Sequence, residues 1–174
     1  LLGYGARDVV LAGDSAGGNL ALALTFKLRE EGRLLPRGLV LMSPWTDMTC
    51  QGKSYQTRAG GDPVLDKEYI EQMIAAYMGE ENPCEDNREE RLKCPYVSPL
   101  FGDFTGFPPT YIQVGENEIL LSDSVELHKK MIKANVSVKL DRFKGMWHVF
   151  QMSPFKTAYE ALNRNAEFIY DICR

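Results

Sequence analysis

Ser15 stands in Gly13-Asp14-Ser15-Ala16-Gly17, between a short apolar run and a stretch rich in alanine and leucine. A serine framed by glycines where a strand turns into a helix has the setting a nucleophile needs. The sharp turn exposes the hydroxyl, and the glycines avoid clashes where the backbone doubles back. The helix start that follows carries partial positive charge, which favours a developing oxyanion, and the Ala16 N–H is one donor for it. The chemistry this spacing predicts is acyl transfer through a covalent serine intermediate.

A serine hydroxyl is a weak nucleophile and needs a base to take its proton. The chain has two histidines. His128 falls inside an expected helix, followed by Lys129 and Lys130, where a surface histidine is the ordinary reading. His148 lies in Gly145-Met146-Trp147-His148-Val149-Phe150, an expected loop between the last strand and the closing helix. Open α/β sheets present reactive residues at such strand ends, so His148 is the expected base. A carboxylate should fix its tautomer and stabilise its charged form. The segment after residues 110–114 offers Glu116, Glu118 and Asp123, and position alone does not decide among them.

The elements that must position these groups are readable from periodicity. Residues 8–12 are almost wholly apolar, as a strand buried on both faces would be. A helix is expected over 16–31, stopped by Gly32, and a second buried strand over 37–42. Residues 110–114 form a further strand, 122–134 a helix opened by a serine cap, and 136–140 a half-exposed edge strand with Val-Ser-Val-Lys-Leu alternation. Residues 154–173 form a closing helix with Pro154 near its first turn. Strand and helix alternate, so the fold class is α/β with a parallel sheet.

Residues 45–100 differ, being rich in Gly, Pro and charge. They hold one clear helix over 66–78, in which Ile70, Met73, Ile74 and Tyr77 share an apolar face. So long a stretch between core strands is expected to be a lid or substrate-pocket insertion. Trp45, Tyr69, Met73 and Tyr77 are its candidate pocket walls, with Asp14 beside the serine as a further pocket candidate; plain core packing is the competing reading.

The chain has 174 residues, 44% hydrophobic and 25% charged, with a formal net charge of -4. That suits one domain with a real core and argues against disorder. Mild acidity without a basic cluster gives no reason to expect nucleic acid or anionic membrane as a partner. The longest apolar run, near residues 20–26, falls far short of the roughly 20 residues a membrane span needs. Cys50, Cys84, Cys94 and Cys173 form no CxxC pair and have no histidine nearby, so zinc is not expected. Cys84 and Cys94 are close enough in sequence to pair, but free thiols in a cytoplasmic protein are the expectation. The chain begins at Leu1 with what reads as the tail of a helix, as a fragment or processed piece would.

Taken together, Gly13-Asp14-Ser15-Ala16-Gly17-Gly18-Asn19-Leu20, Ser43-Pro44-Trp45-Thr46-Asp47, Pro108-Pro109-Thr110, residues 114–123 and Met146-Trp147-His148-Val149-Phe150 resemble the bacterial branch of the hormone-sensitive-lipase family of esterases. These segments span almost the whole chain in the family's order. The resemblance implies an α/β-hydrolase fold, a serine carboxylesterase acting on small acyl esters, and no metal or organic cofactor. It also places the acid at Glu118, where Glu118-Ile119-Leu120 occupies the slot of the family's usual Asp-Pro-Leu; Asp123 is the alternative. A homodimer through the edge strand 136–140 is implied too, although Lys139 could block that edge in a monomer. The family carries a His-Gly-Gly-Gly element upstream of its nucleophile, and none precedes Ser15 here. A longer gene product, with these residues as the C-terminal part of the fold, is therefore expected, and this chain alone could be inactive. Two other functions compete. A small-molecule receptor of the same fold would lack the histidine that His148 supplies, and a serine peptidase would prefer aminoacyl amides.

Overall fold

The computed structural model describes residues 3–79 and 87–174. Among them runs one four-stranded parallel sheet in the order β1-β2-β3-β4, with β1 Val10–Asp14, β2 Gly38–Met42, β3 Thr110–Gly115 and β4 Val138–Phe143. Register follows directly, pairing Val10 with Gly38, Leu39 with Thr110 and Thr110 with Val138. All six residues of β3 are buried, as expected of a central strand covered on both faces.

Alternation along the strands divides the core into two layers. Leu39, Leu41 and Ile112 face helices α1 (Ala16–Glu30) and α5 (Leu121–Lys133), and pack with Leu22, Phe26, Leu127 and Met131. Helix α6 (Lys156–Cys173) covers the opposite face. There a Cβ on Gly38 would lie 2.4 Å from Ile172 Cδ1, and Gln113 Nε2 donates to the Ala161 carbonyl at 2.8 Å.

Between β2 and β3, residues 45–79 and 87–100 carry the short helices α2 (Ser54–Thr57) and α4 (Arg88–Leu92) on either side in sequence of α3 (Lys67–Met78). Asp66 caps α3 by accepting from the Tyr69 N–H at 2.7 Å. Trp45, Met48, Tyr55, Leu65, Ile70 and Ile74 make a second apolar cluster with Ile119 and Leu120, so these residues pack against the start of α5.

Several boundaries differ from the sequence expectation. The first strand is 10–14 rather than 8–12, because a 3-10 turn at Ala6–Asp8 occupies the expected start. The edge strand is Val138–Phe143 rather than 136–140. Asn135, at φ 58, turns the chain out of α5, and Val136 is buried in the core before the ladder with β3 begins. Ser122 does not cap α5. Its hydroxyl accepts from the Ser54 N–H at 2.9 Å, while the Ser54 hydroxyl accepts from the Ser122 N–H at 2.9 Å. That reciprocal pair fastens α2 to α5. Pro154 precedes the α6 N-cap, Phe155, instead of lying in the first turn. Cys50, Cys94 and Cys173 are free thiols, and Cys84 lies outside the described residues.

Candidate active site

Four strand ends converge at the carboxyl edge of the sheet, each delivering part of one cluster. Ser15 follows β1 with φ 51 and ψ −120, a backbone conformation costly for any residue but glycine. The turn is held from both sides. The Ser15 N–H donates to the Met42 carbonyl at 3.0 Å, and the Ser15 carbonyl accepts from the Trp45 N–H at 3.0 Å. Gly13 and Gly18 are required for space, whereas a Cβ on Gly17 would meet only Asp14 Oδ1 at 3.7 Å. A Cβ on Gly13 would sit 2.3 Å from the Gly17 carbonyl, and one on Gly18 would sit 2.7 Å from Pro44 Cβ. As the first residue of α1, Ala16 has no intrahelical acceptor for its N–H.

His148 hangs on the loop after β4 and is 4% exposed. Its Nε2 lies 2.9 Å from Ser15 Oγ, and its Nδ1 lies 3.3 Å from Glu118 Oε1. An ionised carboxylate only accepts, so Nδ1 carries the proton towards Glu118 and Nε2 is left to accept from the serine hydroxyl. The loop is pressed onto the end of β3, where a Cβ on Gly115 would lie 2.4 Å from the Met146 carbonyl oxygen. The Asn117 N–H donates to that same carbonyl at 2.9 Å.

Glu118 is fully buried, and its second oxygen, Oε2, accepts from the Gly115 N–H at 2.7 Å and from Ser43 Oγ at 2.8 Å. Ser43 Oγ in turn accepts from the Val149 N–H at 3.2 Å. Of the three candidate acids, Glu118 is the one at the imidazole. Glu116 pairs with Arg142 at 2.9 Å at the surface, and Asp123 is buried against the Thr46 and Asp47 N–H groups.

A cavity of about 330 Å³ opens beside Ala16, lined among others by Asn19, Leu20, Trp45, Met73 and Tyr77. Its walls are mostly apolar side chains, which suits a hydrocarbon chain over a charged group. Buried Asn19 braces the wall, donating from Nδ2 to the Trp45 carbonyl at 3.0 Å and to the Val97 carbonyl at 2.8 Å.

A family model described as the alpha/beta hydrolase fold matches residues 1–152. The chain belongs to the α/β-hydrolase fold family. An esterase of Acinetobacter venetianus is 40% identical to it over 164 residues, covering 93% of this chain and 52% of the relative. An acetyl-hydrolase of Streptomyces hygroscopicus is 38% identical over 142 residues, covering 82% of this chain and 44% of the relative. A solved esterase from the bacterial hormone-sensitive lipase family superposes with a TM-score of 0.83 at 37% identity, covering 95% of this chain and 54% of that one. A hormone-sensitive lipase from a metagenome library superposes at 0.87 and 34%, covering 96% and 55%. This α/β-hydrolase chain thus falls in the hormone-sensitive-lipase branch, and it spans about half the length of these relatives.

In this hydrolase-fold chain, Trp45, Met73 and Tyr77 line the cavity beside Ala16, whereas Tyr69 and Asp14 are not among its lining residues. Tyr69 lies two turns before Tyr77, about 12 Å along α3. Asp14 is exposed, and its carboxylate lies over the first turn of α1 beside Gly17. Sequence reasoning missed Met48 and Tyr96 in the wall and Ser43 at the acid. Ser43 had a signal, since it closes a strand next to a proline; Tyr96, in a loop without period, had none. Among the described residues no group of three His, Cys, Asp or Glu side chains could hold a metal ion, and no helix is long and apolar enough to cross a membrane.

Proposed function

We propose that this chain carries the reacting groups of a serine carboxylesterase for small acyl esters. The observation that carries the reading is the line of contacts from Glu118 through His148 to Ser15, at 3.3 and 2.9 Å. His148 Nε2 takes the Ser15 proton as Oγ attacks the ester carbonyl, and the Ala16 N–H donates to the oxyanion. His148 then returns the proton to the leaving alcohol, and water repeats the cycle on the acyl-serine. Glu118 holds the imidazole tautomer and offsets its positive charge. The apolar cavity beside Ala16 receives the acyl or alcohol chain, and its size favours short chains. The Acinetobacter esterase and the Streptomyces acetyl-hydrolase support ester hydrolysis as the reaction class.

The test is hydrolysis of p-nitrophenyl butyrate by the chain and by Ser15→Ala. Turnover lost with the hydroxyl supports the reading. Turnover that survives Ser15→Ala overturns it. Strand β4, an edge of the described sheet, supports a homodimer as part of the same reading, which sedimentation of the purified chain tests.

A further inference from the structure

Three residues at the site adopt the left-handed backbone region without being glycine: Ser15 at φ 51, Ser43 at φ 48 and Val149 at φ 49. For a β-branched residue such as Val149 this conformation is a genuine outlier, held only by the structure around it. Ser43 Oγ bonds directly to the Val149 N–H, one residue after His148. The same oxygen donates its proton to Glu118 Oε2. One fully buried hydroxyl therefore touches both the acid and the loop of the base.

We propose that Ser43 is a positioning residue for the His148–Glu118 pair. A carboxylate held by one oxygen can swing about its terminal torsion, which is broad and soft. Here Gly115 N–H and Ser43 Oγ both donate to Oε2, which leaves Oε1 as the oxygen aimed at His148 Nδ1. The hydroxyl has one proton and gives it to Glu118, so its lone pairs are free to accept from Val149. The Ser43 N–H is anchored separately to the Gln113 carbonyl at 2.7 Å, so the backbone is set by β3 and the side chain is left for this task.

The backbone conformation supplies the discriminating test. Glycine at this position relieves the strain and deletes the hydroxyl, whereas alanine keeps the strain and deletes the hydroxyl. The rate part of the proposal rests on the esterase reading; a proton spectrum of the His148 Nδ1–H does not. In the unsubstituted chain and in Ser15→Ala, a low-field imidazole N–H resonance is expected from the bond to Glu118. In Ser43→Gly and Ser43→Ala, both folded by circular dichroism, that resonance should broaden or vanish. On p-nitrophenyl butyrate both variants should lose roughly 10–100-fold in kcat with KM within about twofold, the scale seen when a group that orients a site ligand is removed. Ser43→Gly with the resonance and kcat intact overturns the proposal whatever Ser43→Ala does, because the hydroxyl is absent from both. No low-field resonance in the unsubstituted chain overturns it as well. A resonance that depends on Ser43 in a chain that hydrolyses no ester would leave the positioning role standing, separately from the esterase reading.

Discussion

Asp123 Oδ2 accepts from the Thr46 and Asp47 backbone N–H groups together, at 2.8 Å each. The carboxylate that could have served as the acid is thus committed to shaping the chain just past β2. It links the first turn of α5 to the segment that begins with Trp45, a wall of the cavity beside Ala16. The two neighbouring carboxyl groups, Glu118 and Asp123, have separate tasks: one faces the imidazole and the other supports the loop.

That separation predicts opposite results from two conservative substitutions. Glu118→Gln keeps the shape but removes the charge that fixes and balances His148, so kcat on p-nitrophenyl butyrate should fall by about 10³–10⁴. Asp123→Asn keeps an oxygen for both N–H groups, so kcat should stay within a few-fold. Comparable losses in the two variants would refute the assignment of the acid.

Asp123 also makes stability depend on pH. Burial pushes its carboxyl up to about 8, against the pull of the Thr46 N–H and with the Asp47 charge adding to the rise; Tyr55 also faces it, and Cys50 senses its charge. The folded chain therefore keeps a proton that the unfolded chain releases near its ordinary value of 3.8. The resulting stabilisation is complete below that value and is lost as pH rises towards 8. The thermal midpoint should fall over this window, at roughly 2–4 °C per kcal/mol. Asp123→Asn should flatten the slope, and a midpoint in that variant as pH-sensitive as the parent's would contradict the account.

Space around the turn predicts a contrast between two glycines. Gly13→Ala drives a methyl group into the Gly17 backbone at 2.3 Å, where no flexible side chain can give way, so it should cost at least about 1–3 kcal/mol and distort Ser15. Gly60 has nothing within 4 Å of its added Cβ, so Gly60→Ala should leave both midpoint and activity near the parent's. Urea unfolding of the two variants side by side checks this.

The cavity wall sets a limit on chain length. Met73→Trp adds bulk to a space of about 330 Å³ and should exclude longer chains while sparing acetate. Burial of a CH₂ group contributes about 0.8 kcal/mol, so kcat/KM for butyrate over acetate should drop several-fold. Equal changes on both esters would place the chain elsewhere.

Much of this was legible in the residues because local chemistry and tertiary placement agree there. Gly13 and Ser15 mark the tight turn from β1 into α1, and the apolar 3.6-residue period of Ile70, Met73 and Ile74 survives as a packed face. Ser122 misled because a hydroxyl at a helix start can cap its own helix or bond a distant backbone, and α2, which decides between them, lies 68 residues away. The choice of Glu118 over Asp123 needed the resemblance or the structure. Both are buried carboxylates near the start of α5, and their targets lie on other strands. For Ser43 the strand-ending serine-proline pair marked the place but not the task, since its two partners come from beyond β3 and β4.

Because His148 rides on the loop after β4, its reach to Ser15 depends on an outer strand of the described sheet staying zipped to β3. Outer strands open at lower free energy than central ones. Ser15 follows β1, the other outer strand of the described sheet, so both ends of the Ser15–His148 contact hang from outer strands, while Ser43 and Glu118 follow the central strands β2 and β3. Warming should uncouple the two before the core melts, so competence is a stricter gauge of intactness than secondary structure.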